Sequence, residues 1–287
     1  MSTHDTTLLI DAGNTRVKFG LLVRGAAQRE PLSLALAHAE LDRLPEWLAT
    51  LPAQPVAGVG VNVAGEALAR RIDALLERHC GTPSRWVRSS ARAAGVLNLY
   101  DEPVQLGSDR WVALLGLAAR THHAAVLASF GTATTIDTLG PVQSTLQPEG
   151  VRRFEGGLIL PGPDLMLRSL ANGTAQLPYA EGDVTALPRN THAAIRSGVA
   201  AAQAGAVLRQ WQVAHEALQV APQLYCTGGG WPLVADEVKT GLARCRAAAR
   251  LAPEAVHWLD APVLDGLASL ACETAAKSAS HTAGNGA

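Results

Sequence analysis

A short polar segment near the start of the chain has the residue types of a phosphate-binding turn. From position 11 it reads Asp-Ala-Gly-Asn-Thr, between two apolar runs that are predicted to be strands. Gly13 permits a tight turn and a close approach of the backbone to a ligand. The N–H groups of such a turn, together with Asn14 and Thr15, can donate hydrogen bonds to an anion. Asp11 is placed to hold hydrated Mg²⁺ beside a phosphate, and Lys18 adds a cation.

A plain hairpin would use the same residues. Asp-x-Gly-Asn is ordinary turn chemistry, so this segment taken alone favours neither a binding turn nor a structural one.

Two later segments repeat the chemistry of the first. Gly131 to Thr135 reads Gly-Thr-Ala-Thr-Thr and offers hydroxyls in place of the amide, although a turn before a Thr-rich strand would look alike. Gly228 to Gly230 follow a predicted strand. Three successive glycines cost backbone entropy, which favours a role in close approach to a ligand. The two hairpins stand about one domain length apart and predict two related lobes.

The elements that must position these turns alternate between strands and helices. Apolar, β-branched segments predict strands at Thr7–Ile10, Val17–Val23, Val56–Val63, Arg85–Arg88, Ala125–Phe130, Thr134–Leu139, Phe154–Leu160, Gln223–Thr227 and Val256–Leu259. Ala- and Leu-rich segments predict helices at Ser33–Thr50, Gly65–Cys80, Ser108–His122, Asp164–Ala171, Thr191–Ala217, Leu233–Arg250 and Pro262–Ala276. Ser108 and Thr191 are predicted N-caps, and Gly81 a helix stop. This pattern predicts an α/β protein with mixed sheets.

Length and composition narrow the class of protein. The 287 residues correspond to about two domains, and a 48% hydrophobic chain with a net charge of −1 is neither disordered nor a strongly basic nucleic-acid binder. No apolar run reaches the roughly 20 residues of a bilayer span, and the first seven residues lack the basic and apolar regions of a signal peptide. We therefore expect a cytoplasmic protein without a membrane partner. Four scattered cysteines without a C-x-x-C pair are expected to be free thiols.

Six motifs occur in one order along nearly the whole chain. They are Asp11-Ala-Gly-Asn-Thr15, Gly107-Ser-Asp-Arg110, Phe130-Gly-Thr-Ala-Thr-Thr135, Gly156-Gly-Leu-Ile-Leu-Pro-Gly162, Asn190-Thr191 with Ser197-Gly198, and Thr227-Gly-Gly-Gly230. The set resembles the type III pantothenate kinases, the family of the Bvg accessory factor proteins. The resemblance implies an actin-like (ribonuclease H-like) duplicated fold with two lobes, residues 1–118 and 119–276, followed by a mobile tail at 277–287. It also implies a homodimer and the ATP-dependent phosphorylation of pantothenate to 4'-phosphopantothenate, the first step of coenzyme A synthesis.

The same resemblance implies roles for individual residues. Asp109 corresponds to the proton acceptor. The ATP-binding residues are Asp11, Ala12, Gly13, Asn14, Thr15, Arg16, Val17, Lys18 and Thr132, with Mg²⁺ beside Asp11. The pantothenate-binding residues are Tyr100, Gly107, Ser108, Asp109, Arg110 and Thr191, the last of them near the dimer interface.

One position departs from the family pattern. Ser129 stands where many members have an aspartate associated with K⁺ or NH₄⁺. A neutral hydroxyl is a weaker ligand for a hard cation than a carboxylate. The monovalent cation site is therefore expected to be weakened, rebuilt with other oxygens, or absent.

Several alternatives stay open at this point. Gly-Ser-Asp-Arg is also a good helix start, so without the resemblance Asp109 would be read as structural. Arg110 either binds the carboxylate of pantothenate or holds Asp109 in place. A regulatory protein of the Bvg accessory factor type, and a kinase of the same superfamily with another small acceptor, remain the rival functions. The six dispersed tryptophans are expected to be core or interface anchors rather than a stacking surface for bases.

Overall fold

The computed structural model describes residues 6–143 and 150–284, with side chains as far as residue 274. The chain forms two compact units. The first comprises the residues up to Thr121 and those from Ala261 onward, and the second comprises His122–Asp260.

The elements of both units follow one another in short segments. The strands are β1 (Thr6–Ala12), β2 (Arg16–Val23), β3 (Ser33–Ala37), β4 (Pro55–Asn62), β5 (Ser84–Trp86), β6 (Arg92–Ala93), β7 (Val96–Asn98), β8 (Ala125–Phe130), β9 (Ala133–Leu139), β10 (Arg152–Pro161), β11 (Gln223–Thr227) and β12 (His257–Trp258). The helices are α1 (Leu44–Ala49), α2 (Glu66–Cys80), α3 (Ser108–Ala118), α4 (Pro163–Gly173), α5 (Thr191–Leu218), α6 (Trp231–Ala248) and α7 (Pro262–Gly284). Two 3₁₀ segments, His38–Arg43 and Pro103–Gln105, complete the chain.

The two units share one strand order. In the first unit the order is β3-β2-β1-β4-β5, and in the second the strands β10-β9-β8-β11-β12 are arranged in the same way. In each unit the first three strands in sequence are antiparallel neighbours, and the last two are parallel to the central strand. This repeated mixed sheet confirms the prediction of an α/β, actin-like duplicated fold.

Alternation along β1 decides which side chains face which layer of helices. Leu8 and Ile10 belong to the core formed with α1 and α2. Successive side chains of a strand point to opposite faces, so Leu9 and Asp11 lie on the other face, where α3 and α7 pack against the sheet. A Cβ atom added to Gly20, directly opposite Leu9, would lie 3.1 Å from Cδ1 of Leu264 in α7, so this helix packs on that face.

The last helix packs closely against α3 through glycine. A Cβ atom added to Gly116 would collide with the carbonyl oxygen of Pro262, and one added to Gly266 would collide with that of Val112. Nearby, the buried carboxylate of Asp265 accepts from Arg29 at 2.8 Å and from Arg120 at 3.0 Å. These contacts explain why α7 belongs to the first unit, whereas the boundaries expected from sequence placed residues 119–276 together in the second lobe. Helix α7 also continues to Gly284, and residues 285–287 of the expected tail lie outside the described residues.

Two further expectations differ from the structure. The predicted helix Ser33–Thr50 is wrong, because its first five residues form β3, which pairs with β2 and completes the sheet, and only Leu44–Ala49 is α-helical. The predicted N-caps are each one residue late: Gly107 precedes α3, and the side chain of Asn190 caps α5. Gly81 ends α2 with a φ of 69°, as expected of a C-terminal glycine.

All four cysteines lie in the described part of the chain and are free. None of the described helices has both the length and the apolar character needed to cross a bilayer.

Candidate active site

The first hairpin joins β1 to β2 and presents an exposed polar tip. Asp11 lies directly opposite Lys18 in the two strands. The N–H of Gly13 donates to the carbonyl oxygen of Arg16 at 3.1 Å and closes the turn. Asn14, Thr15 and Arg16 are exposed. The turn therefore has solvent-facing donors at its tip and a carboxylate–ammonium pair at its base.

A histidine that the sequence did not single out supports this turn. Nε2 of His38 lies 2.8 Å from the carbonyl oxygen of Gly13 and, because a carbonyl only accepts, donates to it. On the other side of the turn, the N–H of Val63 donates to the carbonyl oxygen of Ala12 at 3.0 Å. His38 lies 25 residues beyond Gly13 in a segment predicted to be helical, so only the pairing of β3 with β2 brings it to the turn.

The carboxylate of Asp11 is held in an unfavourable environment. Burial raises its pKa from 3.8 to about 6; the positive charge of Lys18 opposes this shift, and the negative charge of Asp109 adds to it. The two aspartates come from β1 and from the start of α3, and they are close enough to repel each other. Among the described residues, no third His, Cys, Asp or Glu joins them in a cluster that could hold a metal by itself. A divalent cation that also binds phosphate oxygens would relieve this repulsion, so the pair fits Mg²⁺.

Helix α3 begins in a way that fixes the Asp109 carboxylate. Its Oδ1 atom accepts from the backbone N–H of Arg110 at 2.8 Å. A Cβ atom on Gly107 would lie 2.8 Å from the same oxygen, so glycine leaves room for the carboxylate there. Within the described contacts the second oxygen, Oδ2, has no hydrogen-bond partner, and the residue is half-buried. Asp109 therefore combines a fixed orientation with an oxygen that can accept a proton.

The neighbouring Arg110 is buried and contacts Tyr100. Its Nη1 donates to the Tyr100 hydroxyl at 2.9 Å, and its guanidinium carbon lies 5.8 Å from the centre of the tyrosine ring. The side chain of Asn98, only 7% exposed, accepts from the N–H of Tyr100 at 3.1 Å and donates to the carbonyl oxygen of Pro103. Asn98 was missed by sequence reasoning, since a single asparagine at the end of a short strand carries no signal of its role.

The second hairpin, between β8 and β9, is assembled from three of the motifs. The N–H of Gly162 donates to the carbonyl oxygen of Thr132 at 2.9 Å, and the N–H of Gly230 donates to that of Phe130 at 2.9 Å. Side chains at Gly162 or Gly228 would collide with the hairpin backbone. The exposed tip, which includes Thr132, is thus supported by backbone packing that only glycine allows.

Ser129 lies in a row of three hydroxyl residues. It is directly opposite Thr135 in β9 and Thr227 in β11, so the three side chains share one face of the sheet. Ser129 is half-buried and Thr227 is only 7% exposed. The face offers neutral oxygens where a carboxylate is common in the resembling family.

Thr191 begins α5 beside an apolar cavity of about 650 Å³. The lining includes Met166, Leu170, Leu177, Arg189 and Thr191. The exposed Leu187 lies close by in sequence and is 81% accessible. In the second unit, then, Thr191 is placed at a mainly apolar surface that also includes Arg189.

The duplicated topology and the paired turns define a protein of the actin-like class. A family model described as Type III pantothenate kinase matches residues 7–213, and the chain belongs to that family.

Curated relatives support the assignment. The chain is 50% identical to a Type III pantothenate kinase of Bordetella petrii over 269 residues, covering 93% of this chain and 97% of the relative. It is 43% identical to that of Aromatoleum aromaticum over 272 residues, covering 94% and 99%.

Among solved structures, a glucokinase from an Antarctic psychrotroph matches with a TM-score of 0.48 and 11% identity, covering 92% of this chain and 98% of that one.

The raised pKa of Asp11 predicts a pH-dependent gain in stability on its removal. The pKa of Asp11 is about 6 in the folded state, above its ordinary value of 3.8. Between these pH values the folded state therefore binds more protons than the unfolded state. The ionised carboxylate of Asp11 therefore lowers the free energy of unfolding. This penalty is fully present above pH 6 and absent below about pH 4. Asp11→Asn is expected to raise the free energy of unfolding by about 1 to 3 kcal/mol at pH 7.5, with the gain vanishing near pH 4.

Urea unfolding at several pH values measures this gain, and Asp183→Asn, in an exposed loop, is the matched control. A destabilised Asp11→Asn at pH 7.5 would contradict the prediction.

Proposed function

We propose that this protein transfers the γ-phosphoryl group of ATP to the primary hydroxyl of pantothenate and forms 4'-phosphopantothenate. The observation that carries the proposal is the placement of Asp109 at the start of α3, within electrostatic range of Asp11 in the first hairpin. This juxtaposes a proton-accepting carboxylate with a turn suited to phosphates. The use of ATP assigns the reaction to the cytoplasm.

Asp109 acts as the base in the proposed reaction. The pantothenate hydroxyl oxygen bonds to the γ-phosphorus while the bond to the bridging oxygen of the leaving ADP breaks. The hydroxyl proton passes to Oδ2 of Asp109, since Oδ1 is occupied by the Arg110 N–H.

Arg110 and Tyr100 bind the other end of the acceptor. A guanidinium recognises a carboxylate by two parallel hydrogen bonds, and Arg110 is held by the Tyr100 hydroxyl at 2.9 Å. The contact of Arg110 with Asp109 is made by its backbone N–H, and its guanidinium is the group proposed to bind the pantothenate carboxylate. The side chain of Asn98 holds Tyr100 in place by accepting a hydrogen bond from its backbone N–H.

The nucleotide is bound mainly by backbone and short polar groups. The N–H groups of the first turn, with Asn14, Thr15 and Lys18, bind phosphate oxygens. Asp11 would hold hydrated Mg²⁺, which supplies charge neutralisation on the phosphates. In a chain of net charge −1, such local donors account for the recognition of two anionic substrates.

Replacement of the base tests the proposal directly. With Asp109→Asn, turnover should fall about 10²- to 10⁴-fold while ATP affinity is kept, because the shape is preserved and the proton acceptor is lost. ADP release is measured with ATP and Mg²⁺, with and without pantothenate, and Glu102→Gln in the preceding loop is the control. The proposal would be contradicted by ADP release that does not depend on pantothenate, or by near-normal turnover of Asp109→Asn.

We propose in addition that the monovalent cation site is weak in this chain. The residues around it offer the hydroxyls of Ser129, Thr135 and Thr227, which are neutral ligands. Titrating activity with K⁺ or NH₄⁺ in Na⁺-free buffer should show weak activation. Ser129→Asp should tighten the K⁺ activation constant tenfold or more, and Ser169→Asp on the exposed face of α4 should not. Tight, strict K⁺ dependence of the unmodified protein is the contrary result.

We also propose that two copies of the chain pair through the surface at the start of α5. The support is the apolar cavity beside Thr191 together with the exposed Leu187. Sedimentation should give a dimer, and Leu187→Asp should shift it toward the monomer, since a charge is costly in an apolar interface. Val56→Asp, at a 56% exposed position of β4, is the control. A monomer at micromolar concentration would refute the pairing.

A further inference from the structure

Two tryptophans lie together beside the glycine turn of the second unit. Trp231 is the first residue of α6 and directly follows Gly230. Its ring centre is 5.8 Å from that of Phe130 and 6.4 Å from that of Trp258, with an interplanar angle of 35° to the latter. Chain positions 27 residues apart are thus brought into ring contact.

Trp258 is held in place by the backbone but left open at its side chain. It lies opposite Cys226 in the edge strand β12, and the N–H of the next residue, Leu259, donates to the Cys226 carbonyl oxygen at 2.9 Å. Its surface is nevertheless 52% exposed, whereas Trp111 and Trp211 are at most 1% exposed. A large aromatic surface fixed on a short strand and left half in water is a feature of binding surfaces rather than of a core.

The space next to this pair is open and has a lysine beside it. Gly229 is exposed, and a Cβ atom placed on it would meet no atom within 4 Å. The ammonium group of the exposed Lys239 lies 5.8 Å from the centre of the Trp231 ring. The second hairpin adjoins the same turn, since the N–H of Gly230 donates to the Phe130 carbonyl oxygen.

We propose that Trp231 and Trp258 form a stacking platform for the purine base of the nucleotide. A planar base fits against the exposed ring of Trp258 beside the half-buried Trp231. The open glycine turn lets its sugar approach the backbone, and Lys239 adds a positive charge for the polyanion. The assignment of ATP as that nucleotide rests on the proposed function. In this proposal two of the six tryptophans bind a base, whereas the sequence predicts core or interface anchors.

Stacking has a consequence for base selectivity. Every base has an aromatic face, so a stacking platform does not by itself distinguish adenine from guanine. Removing one ring should weaken the binding of ATP and GTP by the same factor, while a ligand without a base should be unaffected.

The test uses the full-length chain with Trp258→Ala, Trp258→Phe and, as control, Val220→Ala. Val220 is 42% exposed and precedes β11, at the opposite end of that strand from the glycine turn. Trp258→Ala is expected to raise the KM for ATP about 10- to 100-fold and leave the KM for pantothenate unchanged. Trp258→Phe should restore most of the loss. The inhibition constant of inorganic tripolyphosphate, which carries no base, should be the same in all variants.

The remaining outcomes overturn the platform. An unchanged KM for ATP in Trp258→Ala does so, as does an equal loss for ATP and tripolyphosphate, which would implicate the phosphate turns. A change in sedimentation with unchanged KM would assign Trp258 to an interface between copies. If the unmodified protein fails to phosphorylate pantothenate, the proposed function fails separately. The platform is then tested by quenching of tryptophan fluorescence with ADP, which Trp258→Ala must reduce and tripolyphosphate must not produce.

Discussion

The proximity of two carboxylates constrains the rest of the first unit. Asp11 reaches the α3 face because the strand alternates, and Asp109 is brought there by the helix that packs on that face. Burial of Asp11, together with the smaller repulsion from Asp109, disfavours the ionised form of Asp11. Packing elsewhere must offset this cost, notably the glycine contacts between α3 and α7 and the buried Asp265 with its two arginines. Strain of this kind is characteristic of sites that await a cation and an anionic ligand.

The second unit has the same strand topology but different residues at its central hairpin. Its central hairpin has no carboxylate at Ser129, and its exposed tip is supported by glycines that pack backbone against backbone. Where the first unit brings two carboxylates together, the second has N–H groups, hydroxyls and the tryptophan pair of the half-buried Trp231 and the exposed Trp258. The duplication therefore yields two units of the same topology with different side-chain chemistry.

Local sequence patterns predicted the strands correctly where a segment determines its own structure. The strand predictions at Ala125–Phe130 and Gln223–Thr227 match β8 and β11, because these are buried apolar runs bounded by turns. The prediction of a helix over Ser33–Thr50 was wrong, because the Ala- and Leu-rich residues at its start pair with the edge of β2 and form β3. His38 and Asn98 escaped notice because their roles are hydrogen bonds to distant or irregular backbone.

The sequence by itself determined the turn motifs, their order, the α/β class and the family to which the chain belongs. These are properties of short segments and their spacing. Only the tertiary structure decided that α7 returns to the first unit, that burial, with a smaller contribution from the Asp109 charge, raises the pKa of Asp11, and that Trp231 meets Trp258. Each of these depends on side chains far apart in the chain, and close packing, rather than local propensity, fixes their distance.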